Sequence, residues 1–231
     1  MSYVVNYGQH RISYSVEFRD RTTMEIAVLP DGTVRVKAPL GAEDSRIREK
    51  IHRRAGWIVK QQRYFEQFAI RTPKRQYLGG ETHLYLGRQY RLKLVVHPKV
   101  EVKISRGFIQ IFSPDISPDA IQKVLDRYYR KRAKEKYPEY LKIVADRIGL
   151  ATLPRMQIRA MKTNWGSMSP TGILLLNPEL IKAPVQCLEY VITHELCHLR
   201  YREHDSDFYG LLQSYLPDWK KRKLRLELSL L

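Results

Sequence analysis

The sequence predicts an α+β protein. A β-rich N-terminal region with one amphipathic helix (residues 1–115) precedes an α+β unit (116–231) that carries a cluster of histidines. Apolar and polar residues alternate through much of 11–40 and again between 82 and 112, whereas helical periodicity dominates after 118. Between these regimes "SPDISPD" (113–119) is the clearest break in the chain. At 231 residues there is room for one large domain or two small ones, with a sizeable core either way.

"RISYSVEF" sets Ile12, Tyr14, Val16 and Phe18 against polar neighbours, and "TTMEIAVLP" continues with Met24, Ile26 and Val28. "PDGT" (30–33) marks a turn before "VRVKAPL", where Val34, Val36 and Ala38 share one face, so an antiparallel meander is expected. Glu43 to Ala69 has no proline and spaces Ile47, Ile51, Ala55, Ile58 and Phe65 as one helical stripe with a basic outer side. Extended runs follow in "YLGGETHLYLGRQYRLKLVVH", and "VEVKISRGFIQIF" reads as a hairpin turning at Ser105 to Gly107. Ser117 is a natural N-cap with Pro118 at the first helical position. The helix from there to about 148 should kink or divide at Pro138 and stop at Gly149. "RMQIRAMK" (155–162) and "GILLLN" (172–177) read as strands joined by "TNWGSMSPT", and Pro178 and Pro184 introduce the helix with the histidines.

Composition narrows the function classes. The longest aliphatic run, Ile173 to Leu176, is far short of the roughly 20 residues of a membrane span, which argues against a membrane protein. "MSYVVNYGQHRISYSVEF" lacks the features of a secretory signal, so a cytoplasmic location is expected. Cys187 and Cys197, ten apart on one helix, cannot pair and are expected as buried thiols. The net charge of +17 comes from 41 basic and 24 acidic residues and favours anionic partners, with nucleic acid or nucleotides among them. Much of it lies in Arg46–Arg75, Lys123–Lys136 and Lys220–Arg225, which read equally well as solvated helix faces. His10, His52, His83 and His97 are scattered singly, and Trp57 and Trp219 sit in apolar helical patterns that suit packing.

"THELCHLRYREH" (193–204) holds three of the seven histidines. On a helix His194 and His198 stand one above the other, near enough to share an ion, with Glu195 about 100° round the axis. Zinc chemistry uses such a division: imidazoles hold the ion, one position stays open, and a carboxylate takes a proton from water. HExxH is expected by chance in about one chain in a hundred of this composition, and it is the signature of a zinc-bearing helix. A third ligand is needed. His204 is favoured, because Asp205 or Ser206 can cap a new helix with Phe208, Leu211, Leu212 and Tyr215 on its apolar side, leaving His204 in the corner. Glu227 is the competing ligand. Asp205 and Asp207 could orient His204.

The stretch from Asn164 to Lys223 resembles the YgjP-like metallopeptidase family, a relative of the SprT-like proteins among the zincins. The resemblance rests on Trp165-Gly166-Ser167, Leu176-Asn177, Pro184, His194-Glu195-His198, His204, Phe208-Tyr209 and Leu216-Pro217-Asp218. "MEIAVLPDGTVRVKAPLGA" and "GWIVKQ" are also similar to the family's opening. Asn164 stands where the family usually has arginine and Met168 where it usually has cysteine. The resemblance implies a zincin-like C-terminal domain, Zn²⁺ held by His194, His198 and His204, Glu195 as general base, and a peptide or protein substrate. In zincin-like arrangements a strand beside the active-site helix binds an extended peptide, and "GILLLN" is a candidate for that sheet. Two other readings fit the charge: a metal-dependent hydrolase of nucleoside triphosphates, and a basic nucleic-acid-associated module with a zinc site.

Overall fold

In the computed structural model, which describes residues 2–20, 22–29, 31–66, 75–162 and 164–230, the alternating N-terminal segments form one four-stranded sheet. Its strands are β1 (Ser2–Tyr7), β2 (His10–Arg19), β3 (Glu25–Val28) and β4 (Val34–Pro39), in the order β1-β2-β4-β3. The expected meander is corrected here. β1–β2 and β3–β4 are antiparallel hairpins, but β2 and β4 run parallel, with Tyr14 opposite Val34 and Val16 opposite Val36. This order puts Ile12, Tyr14, Val34, Val36 and Ala38 side by side at the centre of the sheet, where they are all buried. The helix α1 (Asp44–Glu66) covers them with Ile47, Ile51, Ala55, Ile58 and Val59. Trp57, read as a packing residue, is 40 % exposed on its outer side. The expected helix end at 67–69, Pro30 of the turn, Thr163 of the later loop and the side chain of Phe65 lie outside the described residues.

The chain divides by its contacts into two compact units, 1–72 and 73–230, and not at 115/116 as expected. The reason is core membership. The second unit opens with β5 (Thr82–Tyr85), β6 (Arg88–Val96), β7 (Glu101–Ser105) and β8 (Phe108–Ser113), a sheet of order β5-β6-β8-β7. Its inner residues Leu92, Ile109 and Ile111 share one core with Ile121, Leu125 and Tyr129 of α2 (Pro118–Ile148). "SPDISPD" is therefore a sharp local turn inside a unit. Asp115 Oδ1 accepts the Ser117 N–H there, while the Ser117 side chain makes no capping bond. α2 runs unbroken through Pro138. Pro138 and Lys134 are both exposed, so the carbonyl that loses its helical donor faces water. Gly149 ends the helix in the left-handed conformation, as expected.

Three short strands follow: β9 (Met156–Ile158), β10 (Gly166–Met168) and β11 (Leu174–Leu176), ordered β10-β11-β9. β10 lies inside the segment read as a joining loop. A turn of 3-10 helix at Pro178–Lys182 leads to α3 (Val185–Cys197), α4 (Ser206–Tyr215) and α5 (Trp219–Leu230). The start of α3 is clamped by the β5–β6 turn. Leu86 N–H donates to Ile181 O and Gly87 N–H to Lys182 O, and a Cβ on Gly87 would stand 2.6 Å from Pro184 Cα. Tyr137 of α2 holds the other side, its hydroxyl donating to Asn177 O at 2.9 Å. Both cysteines are free and buried in α3. No helix among the described residues is long and apolar enough to cross a membrane.

Candidate metal centre

α3 is buried on nearly every side, as the run of Leu188, Val191, Ile192, Leu196 and Cys197 requires. His194 and His198 stand one turn apart on it with ring centroids 5.2 Å from each other. The helix ends at Cys197, and His198 is its C-cap, still in right-handed helical geometry. The chain then turns before Asp205, whose side chain accepts the Phe208 N–H at 2.9 Å and starts α4. That turn brings His204 back. Its Nε2 lies 3.0 Å from His194 Nε2, and its ring centroid is 4.7 Å from that of His198. One ligand atom from each of the three lies within 4.8 Å of the other two.

Phe208 packs against all three imidazoles, at 4.9 Å from His194 and 4.7 Å from His198 and His204, and is itself fully buried. It walls the side of the cluster away from solvent. The His198 ring is oriented from behind: Nδ1 lies 3.0 Å from Tyr201 O and donates to it when protonated there, leaving Nε2 with a free lone pair. His194 Nδ1 is buried without a hydrogen-bond partner. Burial, reinforced by His204, His198 and Lys223, pushes the His194 pKa down to about 3, so the ring is neutral. Burial and His198 lower His204 as well, against a smaller opposing pull from Glu203.

Glu195, on the neighbouring face of α3, is 7 % exposed and turned toward β10. Burial pushes its pKa up to about 7, partly offset by the Met168 backbone N–H that its carboxylate accepts. A cation nearby would pull the pKa down again. The approach of β10 depends on Gly166. A Cβ at that position would stand 2.8 Å from Glu195 Cγ, 2.8 Å from Val191 Cγ1 and 3.0 Å from Glu195 Oε1.

The strand beside α3 is thus β10, while "GILLLN" supplies β11, the middle strand of the small sheet. Trp165 O accepts the Asn177 N–H and Ser169 N–H donates to Ile173 O, the residues flanking β11, so by alternation the backbone groups of Gly166 and Met168 face the free edge. Asn177 holds this edge in place, donating from Nδ2 to Met161 O and Asn164 O and accepting the Glu179 N–H through Oδ1. Histidines, glutamate and strand edge together line an open cleft of ≈ 680 Å³. Asn164, Met168, Arg202 and Lys223 also line it.

Of the residues singled out in the sequence, His194, His198, His204 and Glu195 meet at this cleft. Glu227 lines it too, 3.9 Å from Lys223, but falls outside the close group of three. Asp205 serves as the cap of α4. Gly166, Asn177 and the Tyr201 carbonyl carry geometry that periodicity does not reveal. The first two belong to the short Trp-Gly-Ser and Leu-Asn motifs, which were the only signal available for them.

A family model described as YgjP-like, metallopeptidase domain, matches residues 22–229. Among solved structures the chain is similar to the metallopeptidase zymogen of Pyrococcus abyssi abylysin, with 22% identity over 38% of this chain and 87% of that one and a TM-score of 0.35. It is likewise similar to the metallopeptidase zymogen of Methanocaldococcus jannaschii jannalysin, with 21% identity over 41% of this chain and 90% of that one and a TM-score of 0.37. No curated protein matches.

Proposed function

Because the chain belongs to the YgjP-like family and carries its metallopeptidase domain, it is a hydrolase of the metallopeptidase class, and we propose that it cleaves peptide bonds with Zn²⁺ held by His194, His198 and His204 and with Glu195 as general base. The observation that carries this reading is the convergence of three ring nitrogens within 4.8 Å of one another beside a buried carboxylate in an open cleft.

The donor set fits the ion. Zinc at about 2.0–2.1 Å from each nitrogen asks for neutral imidazoles spaced a little over 3 Å apart, with a fourth position open. His194 is neutral, its Nε2 is 3.0 Å from that of His204, and His198 has its outer nitrogen tied to Tyr201 O in the manner of a metal-ligating histidine. Imidazole donors suit zinc over magnesium or calcium. Bound there, zinc would supply Lewis acidity, acidifying water and polarising the scissile carbonyl.

The chain's own groups do the rest. An extended peptide joins the free edge of β10 through the Gly166 backbone and the Met168 carbonyl, the Met168 N–H staying with Glu195, which orients the peptide carbonyl in the cleft. Glu195 accepts the proton of the attacking water and passes it to the departing amine. The Met168 N–H holds that carboxylate in one position between the two transfers. Glu195→Gln tests the role directly: the variant should retain zinc and lose turnover of a peptide library by at least roughly 10²-fold. Turnover at the wild-type rate would remove Glu195 from the reaction.

A further inference from the structure

The outer face of the β5–β8 sheet is built from different chemistry than its inner face. Strand alternation sends Leu92, Ile109 and Ile111 inward to the core. It sends Arg91, Lys93 and Val95 of β6, Phe108, Gln110 and Phe112 of β8, and Glu101 and Lys103 of β7 outward. Register sets these side by side. Arg91 is opposite Phe108, and Gln110 lies between Lys93 and Lys103. Phe108 and Phe112 are half-buried and belong to neither hydrophobic core, and Arg91, Lys93 and Lys103 are exposed. The Lys103 ammonium sits 5.4 Å from the Phe112 ring centroid, with Glu101 at 2.9 Å as its carboxylate partner.

Two phenylalanines on the solvent side of a central strand, four residues apart, are about 13 Å from each other along it. Phe112 meets His97 edge to face, ring centroids 5.8 Å apart, and lies opposite Val95, so the face carries a small apolar and aromatic patch among its cations. Flat rings flanked by cations match one class of partner: a polyanion that presents flat, unstacked rings of its own. Duplexes hide their bases, so a platform of this kind reads single strands. The excess of basic residues, 41 against 24 acidic, adds long-range attraction for a polyanion.

We propose that this sheet face binds single-stranded nucleic acid, with Phe108 and Phe112 each stacking a base, Gln110 hydrogen-bonding between them, and Arg91, Lys93 and Lys103 meeting phosphates. The surface is separate from the histidine cleft, since none of these residues lines it.

Fluorescence anisotropy on the full chain would test this with a labelled dodecamer of uridines, its deoxythymidine counterpart and a duplex of equal length, at two salt concentrations. Both single strands should bind well above the duplex, and preference for one over the other identifies the sugar it reads. Phe108→Leu with Phe112→Leu keeps an apolar strand but removes the π-faces, and should weaken binding by about tenfold for each ring. Lys93→Ala should weaken all oligomers alike and lower the salt slope by about one. Circular dichroism and the melting temperature of the leucine variant should match wild type. Equal affinity for duplex and single strand, or a folded leucine variant that binds as tightly as wild type, would overturn the proposal. So would a wild-type dimer that the leucine pair dissociates, because the face would then belong to a second copy.

Discussion

Replacing Gly166 with alanine isolates the contact between β10 and the candidate base. The glycine is not in a left-handed conformation, so alanine meets no backbone penalty, and its effect on the folded state comes from the added methyl group. Its Cβ would stand 2.8 Å from Glu195 Cγ and from Val191 Cγ1, well inside the 3.4 Å at which ordinary contact begins, so these side chains or β10 itself must give way. Val191 is buried in the core, and overpacking of this kind costs about 1–3 kcal/mol. When Glu195 yields, its carboxylate turns from the Met168 N–H. Misplacing a reacting group by about 1 Å costs roughly 10²-fold in rate. The expected variant is folded, melts a few degrees lower, takes up zinc to the same extent as wild type and turns over peptides about 10²-fold more slowly, mainly in kcat. Calorimetry, metal analysis and steady-state kinetics on a quenched-fluorescent peptide library would read the three effects separately. Wild-type kcat together with a wild-type melting temperature would refute the argument that this contact positions Glu195.

Gly87→Ala should destabilise the second unit by about 2–4 kcal/mol, because alanine would have to adopt φ +77 and collide with Pro184 Cα, which a denaturant titration measures. Phe208→Ala should cost about 3–5 kcal/mol and weaken metal affinity as well, since the ring touches all three histidines, whereas Phe208→Leu should restore most of the stability; isothermal titration with zinc distinguishes the two effects. Burial lowers the His83 pKa from 6.5, with Glu81 opposing and Arg75 and Lys182 adding to the shift. The unfolded chain therefore binds the extra proton, so the contribution of His83 is full above about 6.5 and is lost as pH falls below it. Melting curves against pH should show that acid-side loss, and His83→Gln should flatten it.

Three of the helices were legible because they carry their own punctuation. Pro118 and Gly149 bracket α2, Pro184 opens α3, and Asp205 caps α4. The three histidines were legible for the same reason: spacing on a helix fixes which side chains coincide, and a cap implies the turn that returns His204. Strand partners were not. Alternation in "RISYSVEF" and "VRVKAPL" says which face is apolar but not that the two strands run parallel as neighbours. β10 was read as loop because Gly166, Ser167 and Met168 have neither length nor β-propensity, and its pairing is set by β11 and α3. "SPDISPD" announces a turn, yet domain membership is decided by which core Ile109 and Ile121 share, and no local signal encodes that. In "GFIQIF" nearly every residue is apolar, so the assignment of Ile109 and Ile111 inward and Phe108 and Phe112 outward emerges only from register.

Metal content by mass spectrometry probes the three-histidine centre without recourse to a substrate. Measured on wild type and on His194→Ala, His198→Ala and His204→Ala after reconstitution with zinc, it should give about one ion per wild-type chain and a marked loss in every variant. Full occupancy without His204 would move the third ligand to an acidic residue such as Glu227, and a wild-type chain that holds no zinc would rule out a zinc centre at these histidines.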